Sequence, residues 1–397
     1  MIVFFLGRQP EIGLAELTAV YQQPPALLNS HIATLDITSQ DALSLANRLG
    51  SIVKIGEIIQ TDLVINKNNL ASLAQQLFAN VSGKVTLGIS YYGAHTTKAS
   101  ASNFGHELQR LLQEQGHSVR LLPNKEAALS TAATLHNGLA NNNPKKVELN
   151  IIPQKTGHQV AIARTIFVQD IDAYTFRDRR RPRRDARNGM LPPKLAQTMI
   201  NLAHNAMGGR QGRHDQPLNL LDPFCGTGVV LQEAALMDMD IYGTDLNPDM
   251  IDNTKTNLAW LSRTHRRNVQ PNLAVGDATT FDWKNWAKPD HINLVATETY
   301  LGHPYTTTPP LNELKYNITA CNIIISKFLQ NIASQLPHGA GLCVGVPAWF
   351  IRDHIHHLPC ANQVAKYGFI NKTDGANLIY HRPDQIVGRE LLVLQKR

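Results

Sequence analysis

One segment, residues 220–231, restricts the possible folds of this chain more than any other. It reads as an apolar strand, a glycine turn and an apolar helix. Gly226 and Gly228 have no Cβ, so the backbone there can turn sharply and a ligand can approach it closely. In an open parallel sheet such a turn lies at the carboxyl ends of the strands, where ligands bind. The segment therefore predicts an α/β fold with a binding site at that edge of its sheet.

The second half of the chain alternates strands and helices regularly. This alternation indicates a parallel sheet with helices on both faces. The last two strands are separated by a short turn, so the final strand must run antiparallel, which gives seven strands in all. This is the outline of the class I, Rossmann-like methyltransferase fold. We predict strands at residues 218–221, 241–244, 273–275, 292–296, 341–346, 377–381 and 390–394, and helices at 194–207, 229–237, 250–261 and 311–335.

The first half mixes short β-like runs with amphipathic helices, for example residues 70–81, where the apolar spacing is helical. We predict strands at residues 2–6, 32–37, 52–59, 84–92, 119–122, 147–152 and 160–167, and helices at 13–21, 42–49, 70–81, 104–115 and 127–139. The predicted organisation is an α+β module over residues 1–61, a second domain over 62–170, an arginine-rich linker over 171–189 and the methyltransferase domain over 190–397.

Acidic residues follow three predicted strands and indicate which nucleoside ligand binds. A dinucleotide fingerprint needs a third glycine, where this chain has Leu231. Asp222 would oppose a pyrophosphate, whereas its charge favours the ammonium and sulfonium of S-adenosylmethionine. Asp245 can accept both ribose hydroxyls, a feature that dinucleotide enzymes share, and Asp277 can accept the adenine amine. The alternative is that these residues only form turns and helix caps.

We therefore predict a pocket for S-adenosylmethionine at the carboxyl edge of the sheet. Cys225 lies within the glycine turn without a neighbouring base or cation to form a thiolate, so we interpret it as a pocket wall. The predicted cofactor-binding residues are Asp222, Phe224, Gly226, Gly228, Asp245, Leu246, Asp277 and Ala278.

These motifs resemble the THUMP-containing RNA methyltransferases, in particular the archaeal and eukaryotic tRNA guanine-N2 methyltransferase family. Residues 222–228, Asp-Pro-Phe-Cys-Gly-Thr-Gly, are similar to the glycine loop of that family, and residues 189–196 to its lead-in helix. Residues 6–11, 84–90 and the strand ending at Asp170 are similar to its N-terminal half. The resemblance implies a THUMP-like RNA-binding region, tRNA or another structured RNA as partner, and methylation of a guanine exocyclic amine (N2).

The chain departs from that family after the fourth strand. The family has Asp-Pro-Pro-Tyr or Asn-Pro-Pro-Tyr there, which holds and stacks on the target base. This chain reads Val-Ala-Thr-Glu-Thr-Tyr-Leu-Gly over residues 295–302. Tyr300 keeps the aromatic ring, Thr297 falls at the acidic position, and Glu298 follows it. We predict Glu298, Thr297 and Tyr300 as catalytic residues; the alternative for Glu298 is a solvated loop carboxylate.

The excess positive charge is concentrated in one stretch. The chain has a net charge of +7, and residues 177–187 contain seven arginines and two aspartates. Arginine makes forked contacts to phosphate, so the stretch indicates contact with nucleic acid; the alternative is a solvated linker. The predicted RNA-binding residues are Arg177, Arg179, Arg180, Arg181, Arg183, Arg184 and Lys194.

Other patterns exclude some classes of protein. The four cysteines have no Cys-x-x-Cys spacing, and the histidines of residues 353–357 have no further ligand nearby, so we predict no disulfide framework and no metal site. Residues 2–6 lack the flanks of a signal peptide, and no apolar run reaches membrane-spanning length. A cytoplasmic protein without a membrane partner is expected.

The sequence is also compatible with three other functions. The divergent residues 297–300 are compatible with a non-catalytic RNA-binding protein that retains the cofactor pocket. A methyltransferase acting on another nucleic-acid atom, on DNA or on a small molecule is a second alternative, and the arginine-rich stretch disfavours the small molecule. An NAD(P)-dependent enzyme is disfavoured by Asp222 and Leu231. The motifs do not indicate which nucleotide is modified, or whether the protein binds an activator subunit or forms a homo-oligomer.

Overall fold

The computed structural model describes residues 1–93, 96–154, 158–184, 190–208, 218–287, 292–373 and 375–397. The chain divides into two compact units. Unit 1 comprises residues 1–10, 24–47 and 52–173, and unit 2 comprises residues 11–23, 48–51 and 174–397.

The elements of the first half follow the predicted alternation, with one added strand, β2. The strands are β1 (Ile2–Leu6), β2 (Ala26–Asn29), β3 (Ile32–Leu35), β4 (Ile52–Val64), β5 (Lys84–Tyr91), β6 (Ser118–Leu121), β7 (Lys146–Pro153) and β8 (Gln159–Val168). The helices are α1 (Pro10–Tyr21), α2 (Ser39–Leu45), α3 (Lys67–Phe78), α4 (Lys98–Glu114) and α5 (Thr131–His136), with a 3₁₀ turn at Ala46–Arg48. Helix α5 is shorter than the predicted 127–139 because Ser130 caps its start and Gly138, at φ +66°, follows its end.

A single sheet runs through unit 1 in the described residues. Its strand order is β2-β3-β1-β4-β8-β7-β5-β6, and β5 is parallel to β6 and β7. Strand β4 has 13 residues, pairs with β1 over its first half and pairs with β8 as far as Val64. It therefore crosses residue 61, where the sequence predicted a boundary between two modules. Residues 1–61 and 62–170 share one sheet because this long strand belongs to both.

The elements of the second half also follow the predicted alternation. The helices are α6 (Ile171–Arg179), α7 (Pro193–Ala206), α8 (Val229–Leu236), α9 (Pro248–His265), α10 (Trp283–Ala287) and α11 (Leu311–Ala333), with a 3₁₀ segment at Pro359–Tyr367. The strands are β9 (Asn219–Asp222), β10 (Asp240–Asp245), β11 (Asn272–Val275), β12 (Leu294–Glu298), β13 (Gly341–Ile351), β14 (His354–His356), β15 (Phe369–Asn371), β16 (Ile379–Tyr380) and β17 (Val387–Lys396).

The sheet of unit 2 confirms the predicted fold class. Its main path, in the described residues, is β11-β10-β9-β12-β13-β17-β15. The first five of these strands are parallel to one another, and β17 is antiparallel to both β13 and β15. This is the strand order of the class I, Rossmann-like methyltransferase fold. The sixth strand, however, is β15 and not the predicted segment 377–381, of which only β16 is a strand, beside β17. Strand β15 has three residues, too few for a recognisable alternation.

Apolar side chains cover both faces of this sheet. Leu294 and Ala296 point to a core formed with α7, α8 and α9, whereas Val295 points to a core formed with α10 and α11. The carboxyl ends of the parallel strands stay open between these two layers. None of the described helices is both long and apolar enough to cross a membrane.

Helix α1 belongs almost entirely to unit 2, although most of that unit is formed by residues 174–397. Ile12 and Ala19 join the core that contains Leu195. Glu16 is fully buried, and its carboxylate accepts hydrogen bonds from the backbone of Gly50 at 2.9 Å and from the side chain of Asn201 at 2.9 Å. Unit 2 therefore extends beyond the predicted domain 190–397, because its α7 face is completed by residues 11–23 and 48–51.

Candidate active site

The glycine turn after β9 is shaped by contacts with helix α9. Gly226 and Gly228 adopt φ values of +51° and +81°, in the left-handed region that favours glycine. A Cβ on Gly228 would lie 2.8 Å from Cγ2 of Thr254, which is closer than side chains approach. The hydroxyl of Thr254 donates to the carbonyl of Gly226 at 2.7 Å. Both glycines are therefore required by this geometry, as the sequence predicted.

A second residue of α9, Asn257, holds the same turn and was not predicted from the sequence. Its side-chain amide donates to the carbonyl of Thr227 at 2.8 Å and to that of Arg183 at 3.0 Å, and its oxygen accepts from the backbone N–H of Arg183 at 2.9 Å. Asn257 thus ties the arginine-rich stretch to the glycine turn. The signal was present: Thr254 and Asn257 are polar residues on the buried face of an amphipathic helix.

Asp245 lies at the carboxyl end of β10, beside this turn. One carboxylate oxygen accepts the N–H of Gly226 at 2.9 Å, and the other accepts the N–H of Asn247 at 2.9 Å. Both oxygens keep lone pairs for further donors. The arrangement fixes the carboxylate at the edge of the sheet and leaves it able to accept two hydroxyl groups.

Asp222 ends β9 and is only 2% exposed. Its Oδ1 accepts from the hydroxyl of Thr297 at 2.6 Å and from the backbone of Phe224 at 3.3 Å. Burial raises the pKa of Asp222 to about 7, and the nearby charges of Asp245 and Glu298 raise it too, against the two hydrogen bonds. A cationic ligand would favour the ionised form of this carboxyl group.

A cavity of about 1220 Å³ opens at the carboxyl ends of the parallel strands, within unit 2. It brings together most of the predicted cofactor and catalytic residues. Its walls include Asp222, Phe224, Gly226, Asp245, Leu246, Asp277, Ala278, Glu298 and Tyr300. Two predicted residues lie elsewhere: Gly228 forms the turn behind the wall, and Thr297 is fully buried. Leu246 is 70% exposed at the cavity, which suits contact with a flat ligand.

The wall at β11 is formed by Asp277 and Ala278. Oδ1 of Asp277 accepts from the backbone and the hydroxyl of Thr279, both at 2.8 Å, which fixes the carboxylate. The carbonyl of Ala278 accepts from the side chain of Asn331 on α11 at 3.2 Å. Helix α11 therefore holds this wall in place through Asn331.

Residues 297–300 occupy the predicted catalytic position, with one correction. Thr297 is fully buried and donates to Asp222, so it cannot reach a substrate base and is not the acceptor that the sequence predicted. Glu298 lines the cavity and forms an ion pair with Arg389, which the sequence did not indicate. Burial raises the pKa of Glu298, and the charge of Arg389 opposes that rise. Tyr300 is 48% exposed at the cavity.

The predicted RNA-binding residues differ in their exposure to solvent. Arg177 is buried and donates two hydrogen bonds to Glu233, at 2.8 and 3.2 Å, and Arg181 is buried near Asp178 at 3.8 Å. Their guanidinium groups lie beside carboxylates inside unit 2, which contradicts the RNA contact predicted for them. Lys194 is half-buried over the ring of Tyr174. Arg179, Arg180, Arg183 and Arg184 are exposed, and we refer to them as the exposed arginines.

Residues 185–189, including Arg187, lie outside the described residues. All four cysteines are free and buried, and burial raises the pKa of the Cys225 thiol well above its usual value. Within the described parts of the chain, no cluster of three histidine, cysteine, aspartate or glutamate residues has the geometry of a metal site.

Comparisons with known proteins find similarity to methyltransferases. Residues 180–275 match the family described as "UPF0020: RMKL-like, methyltransferase domain". A tRNA (guanine(10)-N2)-dimethyltransferase of Methanothermobacter thermautotrophicus is 27% identical over 159 residues, which is 40% of this chain and 39% of that protein. A tRNA (guanine(10)-N2)-dimethyltransferase of Pyrococcus abyssi is 34% identical over 96 residues, 24% of this chain and 26% of that protein.

Shorter or weaker similarities extend to other methyltransferases. A ribosomal RNA large subunit methyltransferase K/L of Shewanella amazonensis is 61% identical over 41 residues, 10% of this chain and 6% of that protein. A solved structure described as a possible methylase from Clostridium difficile 630 covers 100% of this chain and 98% of that chain, with a TM-score of 0.48 and 10% identity. The matched segments span less than half the length of the tRNA and rRNA methyltransferases above. Residues 180–275 are therefore similar to an RMKL-like methyltransferase domain, and they lie within the unit whose sheet has the class I methyltransferase strand order.

Proposed function

We propose that this protein is an S-adenosylmethionine-dependent RNA methyltransferase that methylates the exocyclic N2 amine of a guanine in tRNA. The observation that carries the proposal is the shared cavity at the carboxyl ends of β9 to β12. The glycine turn and the carboxylates of Asp222, Asp245 and Asp277 line this cavity together with Glu298 and Tyr300. A cofactor and a base bound in one cavity can be brought into reacting distance.

The cofactor-binding residues have separate tasks in this proposal. Asp245 accepts the ribose hydroxyls, and Asp277 accepts the adenine amine. Asp222 balances the positive charge of the cofactor at the buried end of the cavity, where a carboxylate interacts strongly with a cation. The donor set fits S-adenosylmethionine, because three carboxylates suit a cationic nucleoside and disfavour a pyrophosphate. The bound cofactor supplies an activated methyl group.

The base-binding residues orient the amine. Such an amine needs positioning and partial desolvation more than a strong base. Glu298 accepts a hydrogen bond from the amine and thereby directs the nitrogen lone pair away from itself, towards the methyl group. Tyr300 stacks on a base that has been flipped out of the RNA helix. Its half-exposed ring at the cavity supports this role.

The choice of RNA rests on the relatives and on the charge of the chain. The first matched relatives are named as tRNA guanine-N2 methyltransferases, and another is an rRNA methyltransferase. The exposed arginines lie at the end of α6 and directly after it, and the backbone of one of them, Arg183, is hydrogen-bonded to Asn257, which also holds the glycine turn. Guanidinium groups suit the phosphates that flank a target nucleotide. In the same proposal, residues 62–170 of unit 1 are a THUMP-like region that binds tRNA.

Mass spectrometry of nucleosides tests the proposal directly. Transfer RNA is incubated with the protein and S-adenosylmethionine that carries a deuterated methyl group, with Asp245→Ala as the control. We expect N2-methylguanosine or N2,N2-dimethylguanosine that carries the label. If cofactor and tRNA bind but no nucleoside gains the label, the protein is an RNA-binding protein that retains the pocket.

One structural observation favours a second candidate, a methyltransferase acting on a different atom of the RNA. The two prolines after the fourth strand are absent, and the side chain at the usual acidic position, Thr297, is buried. A site with different hydrogen-bonding groups suits the methylation of a different atom of the base. A labelled product other than an N2-methylated guanosine in the same experiment supports this candidate.

A further inference from the structure

The carboxylate of Glu298 is held by an arginine from a distant part of the chain. Nε of Arg389 donates to Oε1 of Glu298. The side chain of Glu298 is 18% exposed and that of Arg389 is 8% exposed, and both residues line the cavity. Removing two charged groups from water costs free energy, so a buried ion pair at the wall of a cavity contributes little to stability by itself and suggests a role in the site.

The sheet register explains how the two residues meet. Strand β13 separates β12 from β17; Glu298 lies opposite Gly345, and Arg389 lies opposite Pro347. Because side chains alternate along a strand, Glu298, Gly345 and Arg389 share one face of the sheet. A Cβ on Gly345 would lie 3.7 Å from Cα of Glu298. The register therefore places Arg389 and Glu298 on the same face of the sheet, on either side of β13.

The pair has two consequences for a bound base. A guanidinium group favours the ionised form of its partner carboxylate, against the effect of burial. A carboxylate with one oxygen held by Arg389 is fixed in orientation, and it retains lone pairs on both oxygens that can accept further hydrogen bonds. An ionised carboxylate donates no hydrogen bond, so it favours only a base edge that presents donors.

The three bases with an exocyclic amine differ at this edge. Guanine presents N1–H beside its N2 amine, which gives two adjacent donors. Adenine presents the N1 lone pair beside its N6 amine, and cytosine presents the N3 lone pair beside its N4 amine. A carboxylate in the plane of the base therefore accepts two hydrogen bonds from guanine, but it meets a lone pair on adenine or cytosine.

We propose that Arg389 is a positioning residue that holds Glu298 as an oriented carboxylate, and that this pair selects guanine through its N1–H and N2–H donors. The inference rests on the proposed function and deepens it by assigning the choice of base. It explains why the chain has an ion pair at a place where the related family uses Asp-Pro-Pro-Tyr or Asn-Pro-Pro-Tyr. Arg389 acts through Glu298 and need not contact the base.

A double-mutant cycle tests the positioning role. The variants are Arg389→Met, Glu298→Gln and the two combined, and the readouts are kcat and KM with tRNA and calorimetric affinity for S-adenosylhomocysteine. We expect each single variant to lower kcat about 10- to 100-fold, with affinity for S-adenosylhomocysteine within about twofold of wild type. The double variant should be no slower than Glu298→Gln alone. Losses that multiply in the double variant would overturn the role, because Arg389 would then act independently of Glu298.

Two further variants separate positioning from folding. Arg389→Lys keeps the charge, so its kcat should lie between those of Arg389→Met and wild type. If Arg389→Met does not fold, Arg389→Lys alone tests the role, and its kcat should be below that of wild type. Glu390→Gln is the matched control, because Glu390 is the next residue of β17, points to the other face and pairs with His357 at 2.8 Å. We expect Glu390→Gln to leave kcat unchanged. An equal loss of kcat in this control would show that any disturbance of β17 is sufficient, and would overturn the proposal.

The choice of base is tested with RNA that carries 2-aminopurine at the methylated position. This base keeps the amine at C2 but has a lone pair at N1, so wild type should methylate it at least about 100-fold more slowly than guanine. Glu298→Gln, whose amide both donates and accepts, should reduce this discrimination at least about tenfold. A wild type that methylates both bases equally overturns the inference alone. A wild type that methylates no guanine in tRNA overturns the proposed function, and the inference with it.

Discussion

The hydroxyl of Thr297 donates a hydrogen bond to Oδ1 of Asp222 over 2.6 Å and so links the ends of two adjacent parallel strands, β12 and β9. Both side chains are buried. Thr297 therefore supports the carboxylate that we assign to the cofactor and does not contact the base. The side chain that follows it, Glu298, is left as the acceptor at the cavity.

Thr297→Val should lower the free energy of unfolding and leave the shape of the site intact. The valine has nearly the same volume but no hydroxyl, so a buried carboxylate oxygen loses a donor, at a cost of about 1–3 kcal/mol. Because the hydrogen bond from Thr297 lowers the pKa of Asp222, its loss should also raise that pKa further. Urea denaturation measures the change. Thr297→Ser keeps the hydroxyl and is the control; equal stability of the Val and Ser variants would contradict the role of the hydrogen bond.

The raised pKa of Asp222 predicts a pH-dependent preference between two ligands. Because burial raises the pKa of Asp222 to about 7, the ionised fraction of Asp222 increases as the pH rises from 6 to 8. S-adenosylmethionine carries a sulfonium charge that S-adenosylhomocysteine lacks, and only an ionised Asp222 attracts it. The affinity for S-adenosylmethionine relative to S-adenosylhomocysteine should therefore rise as the pH rises through 7. Calorimetry at pH 6 and pH 8 measures this ratio.

Asp222→Asn is the control for that measurement. An amide does not titrate, so the ratio of the two affinities should become nearly independent of pH in this variant. If wild type shows the same flat dependence, Asp222 does not face the sulfonium. A ratio that falls as pH rises would contradict the assignment of this carboxylate to the cationic end of the cofactor.

Local features of unit 2 could be predicted from the sequence because their residues are contiguous. A strand, a glycine turn and a helix within residues 220–231 determine one another through backbone geometry, and the structure confirms the turn. The acidic residues at strand ends follow from the same logic, since parallel strands end at one edge of a sheet. The prediction that Asp222, Asp245 and Asp277 line one cavity follows from that geometry, and their roles stay predictions.

Long-range features could not be predicted, because nothing in a local pattern identifies a distant partner. Arg389 is separated from Glu298 by 91 positions, and only the register of β13 with β17 brings them together. The seven arginines of residues 177–187 look alike in the sequence, yet Arg177 is used internally by Glu233, 56 positions away. Charge density predicted the electrostatic character of that stretch but not which guanidinium groups face inwards.

Asp245→Ala should weaken the affinity for the cofactor strongly. The substitution removes the acceptor for the ribose hydroxyls and also frees the backbone N–H groups of Gly226 and Asn247, so the glycine turn loses a support. We expect a loss of about 2 kcal/mol or more, roughly 30-fold in affinity, by calorimetry with S-adenosylhomocysteine. Asp240→Ala, at the exposed start of the same strand, is the matched control and should bind normally. NAD should not bind measurably to either variant or to wild type; a preference for NAD would contradict the proposed function.

Replacing the exposed arginines with glutamine should weaken tRNA binding and its dependence on salt. Each lost phosphate contact should reduce the slope of log affinity against log salt by roughly one, while cofactor affinity stays the same. The control variant removes the same number of charges elsewhere on unit 2, at the exposed residues Lys284, Arg352, Lys366 and Lys372. An equal loss of tRNA affinity in the control would show a general effect of charge, and unchanged affinity in the test variant would show that the stretch is only a linker.

Arg177→Gln should behave differently from the exposed arginines. It breaks a buried ion pair and leaves Glu233 without its partner, which costs about 3–5 kcal/mol of stability. Thermal or urea unfolding should therefore show a clear loss of stability in this variant, whereas the folded protein should keep its affinity for tRNA. A stable Arg177→Gln protein with reduced tRNA affinity would contradict the internal role and return Arg177 to the RNA-binding group.

Glu16 on helix α1 connects the start of the chain to helix α7 of unit 2. Its buried carboxylate accepts the backbone N–H groups of Gly50 and Ser51 at 2.9 and 2.8 Å and the amide of Asn201 at 2.9 Å. The charge of Glu16 also opposes the effect of burial on the pKa of Arg48. Glu16→Ala should therefore lower the free energy of unfolding by about 3 kcal/mol or more, since buried donors and a half-buried cation lose their partner together.

The matched control is Glu11→Ala, in the exposed first turn of the same helix α1, which should change the stability by less than about 0.5 kcal/mol. The same contacts predict that a fragment of residues 190–397, the domain that the sequence indicated, will not unfold cooperatively. Such a fragment lacks Ile12 and Ala19, so the apolar face of α7 around Leu195 is uncovered. A fragment with a sharp urea transition and normal affinity for S-adenosylhomocysteine would contradict this prediction and make α1 an accessory helix. A fragment that unfolds gradually, while the full chain unfolds sharply, would establish that residues from the start of the chain complete the core beneath the cofactor cavity.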